Sequence, residues 1–392
     1  MGLLRLLADR FDPETRSAPS SWDLMQHSGI DLAGAIPTNP RAAENLSVVF
    51  ASTSAISSAM ASLPAYVYRA TGAGRSIDDA HPVSRLTEQG PNEHQTWFDW
   101  VDWTMRSVLL RGNALSEIVA DGRGAPVSFI PIPWEHVSPK LLPNRRLAYD
   151  VTEMTSMFGG TGGTRRLLQS EVFHLRDHSD DGLIGRSRLS RAAAVVQAGL
   201  SIQDFANSLY KNGVNPSGAL EIDGKLSESS FEHLKKEFRE MFAGSSNAAK
   251  ALVLDNGAKW KQISLSPEDA EFLASRRFTG EELARLFGVP PPVIGILDHS
   301  TFTNSETMLR WFAMHTLAPW IKKLESEFSR SVFSESSRTT HKLELDLSGL
   351  LRGDPAQRWA AWKIAVDANI LTPDEVRAEE GWNPKTVAAP AQ

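Results

Sequence analysis

The chain has 392 residues, 41 Lys and Arg against 47 Asp and Glu, a formal net charge of −6, no cysteine and 41% apolar residues. These numbers describe a globular chain of two or three domains. They exclude disulfides and thiolate metal sites, and they lack the positive surplus that marks a protein gripping nucleic-acid phosphates.

The opening MGLLRLLADRF is too short in its apolar part for a signal peptide. Leu6 stands where an N-acylation motif needs Ser or Thr. No apolar run reaches the roughly 18 residues of a membrane helix. Residues 1–40, rich in Ser, Pro, Gly and Asn beyond position 12, read as an extended arm. Residues 41–63 form a small-residue helix stopped by Pro64, followed by an alternating strand at 65–70 and a TGAG turn.

A second helix is predicted from Asn92 to Leu110, with Thr96 as N-cap and Gly112 at its end. Its Trp97, Phe98, Trp100, Val101, Trp103 and Met105 are expected in the core. Strands follow at 113–121, within VSFIPIPWEHV, at LAYDVTEM and at 170–177, with GGTGG (159–163) between the last two. Antiparallel strands with flanking helices make an α+β fold.

From Ser187 to Gly213 a long helix is predicted, with Leu189, Ala192, Val196, Phe205 and Leu209 on its apolar face. Residues 214–265 form a compact insert: strand GALEI, helix 228–243, strand KALVL, a DNGA turn and strand KWKQIS. The return helix 266–288 carries Ser266 as cap, Pro267 at its first position, acidic Glu268 and Asp269, and Gly288 as terminator. Then comes GVPPPVIGILDHSTFTNSE, 288–306: three prolines, a short apolar run and a polar loop of mostly Ser, Thr, Asn, Asp and His, without Lys or Arg. Thr303 and Glu306 fit a capping box for a helix running to about Phe333. That helix has Met308, Phe312, Leu317, Ile321, Leu324, Phe328 and Val332 as its apolar stripe, and Pro319 bends it. A strand at KLELDLSGLL, two short helices to Trp382 and a loose tail (383–392) complete the chain.

Motifs that carry chemistry are incomplete. GGTGG lacks the Lys-Ser or Lys-Thr of a phosphate loop and reads as a hairpin tip. His174 and His178 are four apart, but on an alternating segment without the Glu of a zinc helix. GRSRL has Ser187 where a nucleophile elbow would, and Leu189 where its last glycine should be. No catalytic, cofactor-binding or metal-binding residue is nominated.

The order helix, insert, helix, loop, long kinked helix resembles the portal (head–tail connector) protein of tailed double-stranded-DNA phages. The carriers are SRLSRAAAVVQAGLSIQDFANSLYKNGVNPSGAL and RRFTGEELARLFGVPPPVIGILDHSTFTNSE. The family shows the matching patterns N-G-x-x-P-x-G-x-L and I-x-x-x-F-G-V-P-P-x-x-I-G. The resemblance spans roughly 41–382, and the compact size is similar to portals of prophages and gene transfer agents.

It implies a ring-forming portal fold: wing at 41–186 and in the kinked helix 306–339, stem helices at 187–213 and 266–288, clip at 214–265, proline turn and tunnel loop at 289–305, and crown at 340–382. It implies a structural and not an enzymatic role: a DNA channel at one capsid vertex, serving packaging and ejection. A hydrolase of unlisted type and another virion subunit, capsid or adaptor, are the alternatives. Implied partners are other copies of the chain (twelve in family particles), the terminase large subunit, the head–tail adaptor, the major capsid protein or scaffold, and duplex DNA passing without sequence-specific binding. No membrane and no cofactor are implied.

The tunnel loop maps to Asp298, His299, Ser300, Thr301, Phe302, Thr303 and Asn304, and the hinge to Pro290, Pro291, Pro292 and Pro319. On the clip helix, Glu232, Lys235, Lys236 and Arg239 form either a solvated face or a docking face. Between Arg285 and Arg310 there is no Lys or Arg, and only Asp298 and Glu306 are charged. A moving polyanion would therefore meet mostly neutral polar side chains with no positive charge, and not a salt-dependent grip.

Overall fold

The computed structural model describes residues 39–72, 74–152, 163–212, 218–221, 259–262, 278–297, 302–347, 355–380 and 382–383. After a short turn at Pro40–Ala43, α1 (Ser47–Ala61) is followed by the hairpin β1 (Ala65–Thr71) and β2 (Gly74–Ile77) and by α2 (Pro82–Gln89). α3 (Trp97–Arg111) starts on a capping box: the Asp99 N–H donates to Thr96 Oγ1 and the Thr96 N–H to the Asp99 carboxylate. It ends at Gly112 in the left-handed region, φ 80°. Six strands follow: β3 (Asn113–Ala120), β4 (Pro126–Ile132), β5 (Val137–Leu141), β6 (Leu147–Thr152), β7 (Thr164–Leu168) and β8 (Val172–Arg176).

The second half holds α4 (Arg188–Arg191), α5 (Ala193–Asn212), the pair β9 (Gly218–Glu221) and β10 (Lys259–Gln262), and α6 (278–287). α7 (Phe302–Phe312), a π-helical turn (Ala313–Leu317) and α8 (Ala318–Ser331) form one continuous helical stretch. β11 (His341–Leu345), α9 (Pro355–Asp367) and α10 (Pro373–Glu379) complete the described chain.

Among the described residues all strand pairings are antiparallel, in sheets ordered β11-β1-β2, β4-β3-β8, β5-β6-β7 and β10-β9. The fold is α+β, as expected. The main core gathers α1, α3, β3, β8, α6 and α8 around fully buried Trp100, Phe129, Phe173 and Phe328. Their rings lie 5.0–5.3 Å apart along the chain Phe129, Trp100, Phe173, Phe328. The Trp100 indole N–H is satisfied inside that core by Ser116 Oγ at 3.1 Å. A second cluster, Leu115, Ile132, Leu147, Tyr149, Val151, Leu167 and Val172, fills the space beneath β5-β6-β7.

α8 acts as a splint between two sheet edges. Unpaired edge groups need partners, and α8 supplies them. Glu325 accepts from the Leu345 N–H of edge strand β11 (3.1 Å), and Glu327 from the His174 N–H of edge strand β8 (3.1 Å). Lys323 donates to the Arg176 carbonyl (3.4 Å). Burial beside this edge holds the Glu325 carboxyl above its ordinary range.

Several expectations change. The 41–63 helix is broken between Ala43 and Ser47. β2, α2 and β7 were not anticipated from local pattern. Phe98, Phe205 and Met308 are exposed and lie outside the core. α7 starts at Phe302, so Thr303 occupies its first turn and not the cap position, and Phe302, Thr303 and Asn304 are helical. The strand at the head of 340–382 pairs with β1, so it belongs to the first sheet, while α9 and α10 pair with each other through Arg358, Trp362 and Glu380. The clip helix with Glu232, Lys235, Lys236 and Arg239, strand KALVL and residues 298–301 lie outside the described residues.

Candidate functional site: the joint at the base of the proline turn

α6 ends at Gly288, whose φ of 72° admits glycine readily and other residues only with strain. The turn is closed by the Val289 N–H donating to the Ala284 carbonyl at 3.0 Å. Pro290 is buried and extended, and Pro291–Ile294 make one 3₁₀ turn ended by Gly295. Three fixed φ angles and a buried first proline set the direction in which the chain leaves α6. The last described position of this exit is exposed Leu297.

Pro319 lies two residues after the π turn. The Ala318 N–H donates to the Ala313 carbonyl, five residues back. A proline within a helix removes one N–H and crowds the preceding turn, and a widened turn is the recurring accommodation. The π turn is also tethered, because Thr316 Oγ1 donates to the Gly288 carbonyl. The base of the proline exit and the π turn before Pro319 are thus joined by a hydrogen bond.

Arg188 locks this joint. Its guanidinium donates to the Leu286 and Phe287 carbonyls (3.3 and 3.1 Å), closing the negative end of α6. It pairs with Asp177, whose side chain is fully buried, through Nε at 2.6 Å and Nη2 at 3.4 Å. It also lies over the Trp320 ring at 5.4 Å. Lys323 reaches Asp177 at 3.6 Å and the same ring at 4.8 Å. Burial, before any other cause, pulls the Lys323 amine below its ordinary value. The end of β8, α4, the end of α6 and α8 thereby converge on the Asp177–Arg188 pair. Sequence reasoning did not nominate Arg188, Asp177, Thr316 or Trp320. One signal existed: Arg188 sits in the first turn of a helix, where the dipole disfavours a cation, so its charge had to be needed elsewhere.

A polar knot lies behind the joint. Asn113 Nδ2 donates to the Gly185 carbonyl (2.7 Å), and the Gly185 N–H donates to Asn113 Oδ1 (2.8 Å). That same oxygen, an acceptor only, lies 3.0 Å from His174 Nε2, so Nε2 carries the proton. His174 Nδ1 then accepts from the Tyr149 hydroxyl at 2.8 Å. Both nitrogens are occupied within the fold. His178, four residues on, is exposed, so the two histidines do not converge. Ser187 Oγ caps α4 by accepting from the Leu189 N–H and donates to the Leu110 carbonyl. His174 and Ser187 are thus both engaged in hydrogen bonds within the fold.

Burial first, then Arg176 and Arg330, hold the His174 pKa well below its ordinary value. The unfolded chain takes up this proton near pH 6.5 and the native chain refuses it. Stability is therefore full above about pH 6.5 and falls as the pH drops, by up to about 1.4 kcal/mol per pH unit. His81, also lowered by burial first, adds to the same slope. Urea midpoints measured from about pH 7.5 down to 5.5 check this; a flat profile contradicts it.

A family model described as phage portal protein matches residues 47–381. The probable portal protein of Streptomyces phage phiC31 is 28% identical over 378 residues, covering 93% of this chain and 80% of the relative. The portal protein of Enterobacteria phage HK97 is 28% identical over 344 residues, covering 86% and 79%. Among solved structures, the neck of an empty gene transfer agent (GTA) particle, computed with sixfold symmetry, superposes with a TM-score of 0.63 at 23% identity, covering 90% of this chain and 95% of its own. The neck of the native particle, computed with twelvefold symmetry, gives a TM-score of 0.57 at 22% identity, with coverages of 86% and 91%. The hydrolase alternative finds no support among these matches. Among the described residues, no helix is long and apolar enough to cross a membrane. The chain belongs to the phage portal protein family.

Proposed function

We propose that about twelve copies of this chain close around a channel at one capsid vertex, with 298–304 at the channel wall and double-stranded DNA passing during packaging and ejection. The observation that carries this reading is the family match, which runs nearly from end to end of the chain. The charge pattern supports it: the 24 residues between Arg285 and Arg310 contain no Lys or Arg. The joint supports it as well, because Arg188 and Asp177 give the loop's departure point a rigid base. The exit at Pro290–Pro292 and the kink at Pro319 act as the loop's hinge, coupled through Thr316. The clip face of Glu232, Lys235, Lys236 and Arg239 is assigned to docking the terminase large subunit and then the head–tail adaptor, and the wing to contacts with the major capsid protein or scaffold.

Putting lysine at Thr301 and Asn304 tests the non-gripping wall. Purified rings of the double variant are expected to retain DNA with a log–log salt slope steeper than wild type by about 0.9 for each lysine engaged. An unchanged slope, measured by DNA retention across a salt series, would place these residues away from the DNA path.

A further inference from the structure

We propose that Met308, Trp311 and Met314, on the outward face of α7 and the π turn, are the surface by which one copy packs against the next around the ring. This rests on the ring reading given above. The core side of the same stretch buries Phe312, Ala313, Thr316 and Leu317. The other side carries Met308, Trp311 and Met314 at successive spacings of three, 39%, 44% and 59% exposed. The Trp311 ring rests against His315 at 4.9 Å, extending the stripe. A helix apolar on both sides is a helix covered on both sides. Single exposed apolar residues need no account, but a contiguous row marks a contact surface.

The occupant follows from position. α7 begins directly after residues 298–301, and its first residue, Phe302, belongs to the loop assigned to the channel wall. In a rotationally symmetric ring, a segment beside the axis has its own symmetry copies as sideways neighbours. Such contacts are heterologous, one face meeting a different one on the next copy, and flexible methionine adapts to a non-identical surface.

Spacing gives an independent check. Helices pack about 8–10 Å apart. Twelve at that spacing stand about 15–19 Å from the axis and, with a radius near 5 Å each, leave a bore of roughly 20–28 Å. A duplex with grooves about 8 Å deep is about 20 Å across and passes. Six helices leave a bore of less than about 10 Å, which excludes it. Side-by-side contact at this level is therefore compatible with duplex passage at twelve copies, and a sixfold operator is contained in a twelvefold ring.

W311E/M314E is the first test, read by native mass measurement. The expected result is loss of closed rings, about tenfold or more in assembled fraction, with the circular dichroism and unfolding midpoint of the monomer kept. I370E, which charges a side chain 73% exposed beyond α9, is expected to keep its rings. M314C is the second test. The chain has no native cysteine, so a maleimide reads this one thiol: it should be protected in closed rings and labelled in the monomer, and it decides the matter if W311E/M314E fails to fold. Closed rings of W311E/M314E, ring loss by I370E, or M314C labelled equally in ring and monomer would each overturn this interface and leave the ring reading standing. A wild-type chain that is monomeric throughout would overturn the ring reading itself.

Discussion

Gly185→Ala is expected to cost more than about 4 kcal/mol, enough to leave little soluble protein. A Cβ at this position would lie inside the van der Waals shell of the Gly112 carbonyl oxygen and 2.9 Å from the Asp177 backbone nitrogen. Neither obstacle is the movable end of a side chain. Gly112 is itself fixed by its φ of 80°, and a Cβ on it would come within 2.6 Å of the Arg186 carbonyl carbon and the Ser187 nitrogen. The two glycines let α3's exit and the strand-to-helix passage at 185–187 touch backbone to backbone. Asn113 clamps that contact from both sides. Relief requires the passage to move, and with it Ser187, Arg188 and the start of α4. Gly122→Ala, where an added Cβ meets nothing within 4 Å, is expected to stay within about 0.5 kcal/mol of wild type. Soluble yield and urea midpoints of the two variants check the contrast; equal stabilities would contradict it.

Asp177→Ala is expected to cost about 3–5 kcal/mol, because it leaves Arg188 partly buried with no counter-charge. The loss should propagate: without Asp177, the guanidinium loses the partner that aims it at the Leu286 and Phe287 carbonyls, and the end of α6 from which the proline turn departs becomes loose. The double variant Asp177→Ala/Arg188→Met removes the stranded charge and should recover part of the cost. A coupling of about 0.5–3 kcal/mol between the two substitutions is the expected signature. Urea unfolding of the four species closes the cycle; strict additivity would show that the pair does not act as a unit.

Much of this molecule was legible locally. Thr96 and Gly112 bound α3 because caps act within a few residues. The stripe Phe312, Leu317, Ile321, Leu324, Phe328 and Val332 is buried as its spacing implied. Pro319 is accompanied by a π turn just upstream of it, which the spacing of the stripe did not announce. What stayed hidden depends on long-range partners. β11 pairs with β1 across more than 270 residues, and nothing in KLELDL names that partner. The exposure of Phe205 and Met308 escaped because periodicity locates an apolar side but not what covers it. The joint escaped for the same reason. Asp177, Arg188 and the pair Thr316 and Lys323 come from three separate segments, and only the folded chain brings their charges and hydroxyl together.

The most direct test is a reconstruction of the purified, assembled chain viewed down its symmetry axis. The predicted result is an annulus of about twelve copies whose central hole is rimmed by the backbone of residues 298–304, with no lysine or arginine side chain from any part of the chain facing it at that level. A compact single molecule, or a ring in which that segment lies buried away from the axis, would contradict the account.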